Sequence, residues 1–196
     1  QPVAELHERR DRRARAVSAH RPREGLGALE GQEQLADLAG ELPKLARGRD
    51  FAKGKALFTS VGCIGCHKVG ADGPLWGPEL TGVFAKYKGD AATVLGEILE
   101  PSKTIEPRYR AYEFTVGNDE PFTGFLVKDE GESLVLQTGP GETMIKKFAK
   151  NDVKSRPQAS SLMPPGLLNL LSQEQILDLL AFVQAGGDAK HAAFTP

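Results

Sequence analysis

Apolar residues recur three to four positions apart in four stretches of the chain, the spacing of amphipathic helices. The stretches cover residues 32–46, 50–61, 90–100 and 172–185. Asp50 at the start of the second stretch is a favourable N-cap. Ser172, with Gln175 three positions later, is typical of a capping box at the start of the fourth. The pattern predicts four helices, with Pro101 ending the third.

Between about 110 and 149 the apolar residues instead alternate with polar ones, a period typical of strands with one buried face. The residues that mark these runs are Tyr112, Phe114, Val116, Phe125, Val127, Leu134, Leu136 and Met144 to Phe148. Glycine-containing turns separate the runs. We therefore expect a small antiparallel β-meander between helices, followed by a proline-containing loop over 155–171. The predicted fold class is mainly α with a β insertion.

The composition is that of an ordinary globular protein, with 196 residues, 40% of them hydrophobic, and a formal net charge of -1. This nearly neutral charge argues against nucleic-acid binding, which usually requires a clearly basic domain. No apolar run is long enough to predict a transmembrane segment. Residues 1–23 hold seven arginines. They form either a basic arm for an acidic partner or membrane surface, or a solvated helix.

The segment Cys63-Ile64-Gly65-Cys66-His67 contains both cysteines of the chain. C-x-x-C-H is the attachment signature of haem c. The two thiols can form thioether bonds with the haem vinyl groups, and His67 follows as the proximal iron ligand. We therefore expect one covalently bound haem c, a cofactor that indicates electron transfer.

Three other interpretations of the motif are weaker. A thioredoxin-like redox pair requires a βαβ context, whereas a helical pattern precedes this motif. A zinc site needs further ligands, but the sequence has no second C-x-x-C and its other histidines are scattered. A structural disulfide would leave His67 without a role.

The haem iron needs a sixth ligand or an open position, and the two methionines are the candidates for a ligand. Met163 lies in a proline-stiffened loop before the last helix, where a fixed thioether makes a good ligand. Met144 lies in a predicted strand, where core filling is the default role. We expect Met163 to be the distal ligand, with simple packing in the loop as the alternative.

The order of these features resembles a class I cytochrome c over residues 50–187. The stretches that carry the resemblance are Cys63 to His67, Gly77-Pro78-Glu79-Leu80, Ile98-Leu99-Glu100-Pro101-Ser102, Tyr109, Met163-Pro164-Pro165-Gly166-Leu167 and Asp178-Leu179-Leu180-Ala181-Phe182. The predicted strands stand where an ordinary class I protein has a shorter connection. With this insertion, the chain is similar to the planctomycete-type haem-binding domain (the Pirellula/Verrucomicrobium type).

The resemblance implies roles for individual residues. The carbonyl oxygen of Pro78 is expected to accept a hydrogen bond from Nδ1 of His67, which would orient the ring. The N- and C-terminal helices of the domain are expected to cross at Gly54 and Phe182, because a missing side chain allows close approach.

Three aromatic residues have two interpretations each. Trp76, the only tryptophan, either donates a hydrogen bond to a haem propionate or forms a wall of the haem pocket. Tyr109 and Tyr112 either approach the haem from the distal side or pack in the core of the sheet. Sheet packing is the preferred prediction for the two tyrosines.

We expect three parts along the chain. Residues 1–48 form an N-terminal helical extension or the end of a preceding domain. Residues 49–187 form the cytochrome c domain, with its N- and C-terminal helices crossing, haem between them and the β insertion at about 110–149. Residues 188–196 form a C-terminal tail.

The expected function is single-electron transfer with a redox partner protein, not enzymatic turnover. The alternative is a haem-based gas sensor or peroxidase-like enzyme with an open or displaceable distal ligand. Haem c is attached outside the cytoplasm, so we expect a periplasmic or otherwise exported protein. We expect either that a leader has been removed or that the chain is a piece of a longer protein, with a dehydrogenase or helical-repeat domain as a candidate upstream.

Overall fold

The structure is a computed structural model that describes residues 31–158 and 160–196. The helices of these ranges are α1 (Gly31–Ala39), α2 (Phe51–Ser60), α3 (Val83–Lys86), α4 (Ala91–Leu99) and α5 (Gln173–Gln184). The strands are β1 (Ala111–Val116), β2 (Phe122–Asp129), β3 (Ser133–Gln137), β4 (Ile145–Ala149) and β5 (Val153–Pro157). Short 3-10 turns include Leu42–Ala46, Cys63–Gly65 and Pro107–Tyr109. The arginine-rich segment 1–23 lies outside the described residues.

The predicted caps set the starts of the long helices. The Asp50 carboxylate accepts the backbone N–H of Lys53 at the start of α2. At α5, Ser172 Oγ accepts the N–H of Gln175, and Gln175 Oε1 accepts the N–H of Ser172. Each bond satisfies an N–H group that the helix itself leaves without a partner. The predicted capping box is therefore confirmed.

Helices α2 and α5 cross at Gly54, as predicted. A Cβ atom at Gly54 would lie 2.3 Å from the carbonyl oxygen of Asp178 and 2.8 Å from Cβ of Phe182. The rings of Phe51 and Phe58 pack on Phe182 with centroids 5.5 and 5.4 Å apart. The α5 backbone therefore occupies the space that a side chain at position 54 would need.

Polar contacts beside the crossing hold the same two segments. The backbone N–H of Asp50 donates to Oδ1 of Asp178 at 3.1 Å. The Arg49 guanidinium lies 2.8 Å from the Glu174 carboxylate and 3.6 Å from that of Asp178. Asp178 is buried, and these partners compensate its removal from water.

The main hydrophobic core lies around α5. Its fully buried members include Phe58 of α2, Leu95 of α4, Leu168 before α5 and Ile176 within α5. Helix α1 adds Leu38, which is also fully buried. None of the helices in the described ranges combines the length and apolarity needed to span a membrane.

The five strands form one antiparallel sheet in the order β4-β3-β2-β1-β5. One face of the sheet has a second core of its own. Phe114, Leu134 and Leu136 are buried there, and Tyr112 and Phe122 pack against them. The side chains of this core alternate along the strands with residues that face the opposite side.

Three predictions about the fold were wrong. The protein is mixed α/β and not clearly mainly α, because a five-stranded sheet accompanies the helices. The sheet also continues to residue 157 instead of ending near 149. Strand β5 was predicted as loop since its residues Val153–Pro157 are mostly polar and exposed. The predicted helix 32–46 is interrupted, with α1 ending at Ala39 before a 3-10 turn that contains Pro43.

We predict that Gly54→Ala destabilises the fold by about 1–3 kcal/mol, because the new methyl group would force α2 and α5 apart. Urea unfolding followed by circular dichroism measures this. The control is Gly96→Ala in α4, where a Cβ would meet only Leu35 Cδ2 at 4.0 Å. That change should be neutral or stabilise by up to about 1 kcal/mol. Equal stability of the two variants would contradict a tight helix crossing.

Candidate functional site

The C-x-x-C-H motif begins where α2 ends. Gly62, with a φ of 95°, turns the chain away from the helix axis, a backbone conformation that glycine adopts readily. The motif then folds into a 3-10 turn. The backbone N–H groups of Cys66 and His67 both donate to the carbonyl oxygen of Cys63, at 3.2 and 2.9 Å. The turn brings the two thiols and the imidazole to the same region, and the thiols are not joined.

The following loop folds back over the motif. The N–H groups of Trp76 and Gly77 donate to the carbonyl oxygen of Cys66, at 3.1 and 2.7 Å. This places the carbonyl oxygen of Pro78 2.7 Å from Nδ1 of His67, the contact predicted from the sequence. A carbonyl can only accept, so the proton lies on Nδ1 of His67 and the lone pair on Nε2.

Gly77 lies flat against the His67 ring. A Cβ atom at position 77 would be 2.7 Å from Cε1 and 3.1 Å from Nε2 of His67. The missing side chain therefore leaves room for the ring in the orientation that the Pro78 hydrogen bond sets.

The motif and the loop before α5 enclose a cavity of about 270 Å³. All six residues that the sequence analysis selected line it: Cys63, Cys66, His67, Trp76, Pro78 and Met163. A cavity of about 180 Å³ shares His67, Cys63 and Met163 with it and extends towards α4. Met144 lines neither cavity and is 37% exposed.

The larger cavity is mostly apolar, and of the described residues that line it none is Asp, Glu, Lys or Arg. Burial lowers the pKa of His67, although its hydrogen bond to Pro78 acts in the opposite direction. Burial raises the pKa of the Cys63 thiol to about 11 and also raises that of Cys66. At neutral pH the imidazole is therefore neutral, the form that binds a metal.

Two aromatic residues of the cavity wall, Phe125 and Tyr109, were not among the six predicted site residues, although an approach of Tyr109 to the haem was the alternative prediction. Phe125 of β2 lies 4.7 Å from Trp76 and 6.1 Å from Tyr109 between ring centroids, and Phe125 and Tyr109 both line the cavity. The prediction that Tyr109 packs in the sheet core was therefore wrong. Tyr112 does pack there, stacked 5.6 Å from Phe114. Strand alternation places Phe125 on the face opposite Phe122, but it does not show which segments cover that face.

A chain of hydrogen bonds holds the Met163 loop. Ser102, just after α4, accepts the backbone N–H of Ser161 with its hydroxyl oxygen at 3.0 Å. The Ser161 hydroxyl in turn accepts the N–H of Met163 at 3.1 Å. The sequence analysis named Ser102 only as part of a matching stretch and gave neither serine a role, because a single hydroxyl in a loop carries no distinctive pattern.

Residues 51–135 match the family model for cytochrome c. The match begins at the first residue of α2, contains the C-x-x-C-H motif and ends within β3. It supports a cytochrome c haem-binding domain in this chain. Cytochrome c domains bind haem c covalently and typically carry electrons. A search of curated proteins found no match to the chain.

The residues present fit covalent haem. Two free thiols and an imidazole with an available Nε2 line one apolar cavity. Gly77, which has no side chain, leaves space for that imidazole. The competing zinc interpretation finds no support, since no group of three His, Cys, Asp or Glu suited to a metal ion occurs within 31–158 or 160–196. The helical setting of the motif also differs from a βαβ redox site.

We predict that Gly77→Ala reduces the fraction of purified protein that carries haem, because the methyl group would displace the His67 ring. The measured quantity is the ratio of haem absorbance to protein. Gly82→Ala is the matched control, since a Cβ there meets nothing within 4 Å. Wild-type haem content in Gly77→Ala would contradict the importance of this close approach.

Proposed function

We propose that this protein is a mono-haem c-type cytochrome that transfers single electrons, with His67 and Met163 as axial ligands. The observation that carries the proposal is one apolar cavity lined by Cys63, Cys66, His67 and Met163. Bound haem supplies an iron that accepts one electron from a donor protein and passes it to an acceptor. The chain binds and orients this group and excludes water from it.

The ligand geometry depends on backbone contacts of the chain. Pro78 fixes the ring orientation of His67 and holds the proton on Nδ1, which leaves Nε2 to bind iron. The hydrogen bond also makes the imidazole a more electron-rich ligand. Cys63 and Cys66, held by the same turn, would form the thioether bonds.

Met163 is the proposed distal ligand because it lines both cavities together with His67. Its loop is tied to the turn after α4 through Ser161 and Ser102. A His/Met pair gives a higher reduction potential than two histidines. The arrangement therefore supports an electron carrier of comparatively high potential.

The wider context is also part of the proposal. The domain is of the planctomycete type, occupies residues 49–187, follows an extension over 1–48 and ends in a tail over 188–196. It works outside the cytoplasm, periplasmic or otherwise exported, and exchanges electrons with a redox partner protein. The extension joins it to an oxidoreductase or helical-repeat domain of a longer protein.

The gas-sensor or peroxidase alternative has no specific observation in its favour. Among the described residues that line the two cavities, His67 is the only histidine and there is no arginine. The acidic and basic side chains besides His67 are Lys86, Glu97 and Glu106, which line only the smaller cavity, and Lys86 pairs with Glu106. A peroxidase commonly needs a distal acid–base group to assist bond cleavage. The electron-transfer proposal requires no such group.

We predict that Met163→Ala removes the far-red charge-transfer band of Met-ligated ferric haem and lowers the reduction potential. Absorption spectra of oxidised and reduced protein measure the first effect, and a redox titration measures the second. Met144→Ala is the matched control and should keep both properties. A wild-type protein without the far-red band, or a Met163→Ala protein that retains it, would overturn Met163 ligation.

We also predict that Ser161→Ala makes Met163 easier to displace from the iron, because the variant loses the hydrogen bond from the Met163 N–H to the Ser161 hydroxyl. Loss of one hydrogen bond of about 1 kcal/mol would let exogenous imidazole compete about fivefold better for the ferric iron. Spectrophotometric titration with imidazole measures this affinity. Ser160→Ala changes an exposed neighbour and should bind imidazole as the wild type does. Equal affinity in all three proteins would rule out a holding role for Ser161.

A further inference from the structure

The burial of Phe125 comes from outside its own sheet. The side chain is 5% exposed, yet it lies on the face opposite the sheet core of Phe114, Leu134 and Leu136. Its ring partners are Trp76 from the loop after the motif and Tyr109 from the 3-10 turn after α4. Three separate segments of the chain thus meet at these three rings.

The sheet is also tied to the motif loop by a polar contact. Gln137 of β3 is the cross-strand partner of Phe125. Its amide nitrogen donates to the carbonyl oxygen of Leu75 at 3.3 Å, directly before Trp76. The same amide donates to the carbonyl oxygen of Gly139 at the end of its own strand. Gln137 therefore fixes the sheet to the loop at the place where Phe125 meets Trp76.

The sheet core makes Phe125 a rigid wall residue. Side chains on the other face, such as Phe122 on the same strand, pack among themselves, so the strand is held independently of the cavity. A side chain on a fixed strand keeps its position better than one on a loop. Of the described strand residues, Phe125 alone lines either cavity.

From this arrangement we infer that the β insertion is part of the haem site: it closes one side of the cavity with Phe125, excludes water there and raises the reduction potential. The inference rests on the proposed haem-binding function and assigns the sheet a role in it. Ferric haem carries one more positive charge than ferrous haem, so an apolar wall disfavours the oxidised form. Removing the wall lets water stabilise that form, and the potential falls.

The test compares two phenylalanines of strand β2. Phe125→Ala opens the cavity side, and Phe122→Ala removes an equal ring from the opposite face, where it packs against Phe114 with centroids 5.7 Å apart. Both proteins are prepared with haem attached. The measurements are the midpoint potential, the rate of carbon monoxide binding to ferrous protein in variants that also carry Met163→Ala, which opens the sixth position, and the urea midpoint of unfolding.

Phe125→Ala should lower the midpoint potential and speed carbon monoxide binding several-fold. Phe122→Ala should lower the urea midpoint and leave the other two quantities at their wild-type values. Gln137→Ala, which frees the loop from the sheet, should change potential and rate in the direction of Phe125→Ala but by less. Phe125→Leu, which keeps an apolar side chain, should restore most of both properties.

Wild-type potential and binding rate in Phe125→Ala would overturn the inference. Equal changes of potential in Phe125→Ala and Phe122→Ala would overturn it too, because they would show a general loss of sheet stability. The proposed function is judged separately, by whether the wild-type protein binds haem and shows Met ligation. A normal wild-type spectrum with an unaffected Phe125→Ala protein would refute only the role of the sheet.

Discussion

The backbones of helices α2 and α5 approach each other closely at Gly54, and the position of the haem site follows from this contact. The C-x-x-C-H turn starts at the C-terminal end of α2, whereas the Met163 loop leads into the N-terminal end of α5. Because the two helices cannot separate or slide without leaving a gap at Gly54, the segments that carry His67 and Met163 have a fixed spacing. The Asp50–Asp178 and Arg49–Glu174 contacts add directional bonds to this packing.

Within that frame, main-chain groups do much of the positioning. Carbonyl oxygens of Cys63, Cys66 and Pro78 accept the hydrogen bonds that shape the turn, fold back the loop and orient the imidazole. These hydrogen bonds depend on the direction of the backbone at each acceptor. At Gly77 the lack of a side chain is what leaves room for the His67 ring.

The sequence predicted the parts of the fold that have local causes. Caps such as Asp50 and the Ser172–Gln175 pair have strong local preferences, so the helix starts were found. A single cysteine motif and only two methionines restrict the candidate haem ligands by composition alone. Strand β5 was not predicted, because an exposed edge strand such as Val153–Pro157 shows little apolar alternation. Its position in the sheet is set by pairing with β1, which the sequence of β5 alone does not reveal.

The position of Phe125 in the cavity wall was not predicted for a different reason. Strand periodicity shows that a residue faces one side of a sheet, but the identity of what covers that side depends on distant segments. Trp76 reaches Phe125 from the loop after the C-x-x-C-H motif, far from β2 in sequence, and Tyr109 reaches it from the 3-10 turn just before β1. The hydrogen bond between Ser102 and Ser161 also depends on distant segments, because it joins residues 59 positions apart.

The two hydrophobic cores have a consequence for how the protein would unfold. The helical core and the sheet each reach the cavity wall, the sheet through Phe125 on the face opposite its own core, so a cofactor attached there touches both units. Covalent haem stays attached when the chain unfolds, but its contacts with the cavity walls form only in the native arrangement, and such contacts stabilise every element that forms the site. Haem attachment would then link the melting of the sheet to the melting of the helices, so that two units with separate cores lose their structure in one cooperative transition.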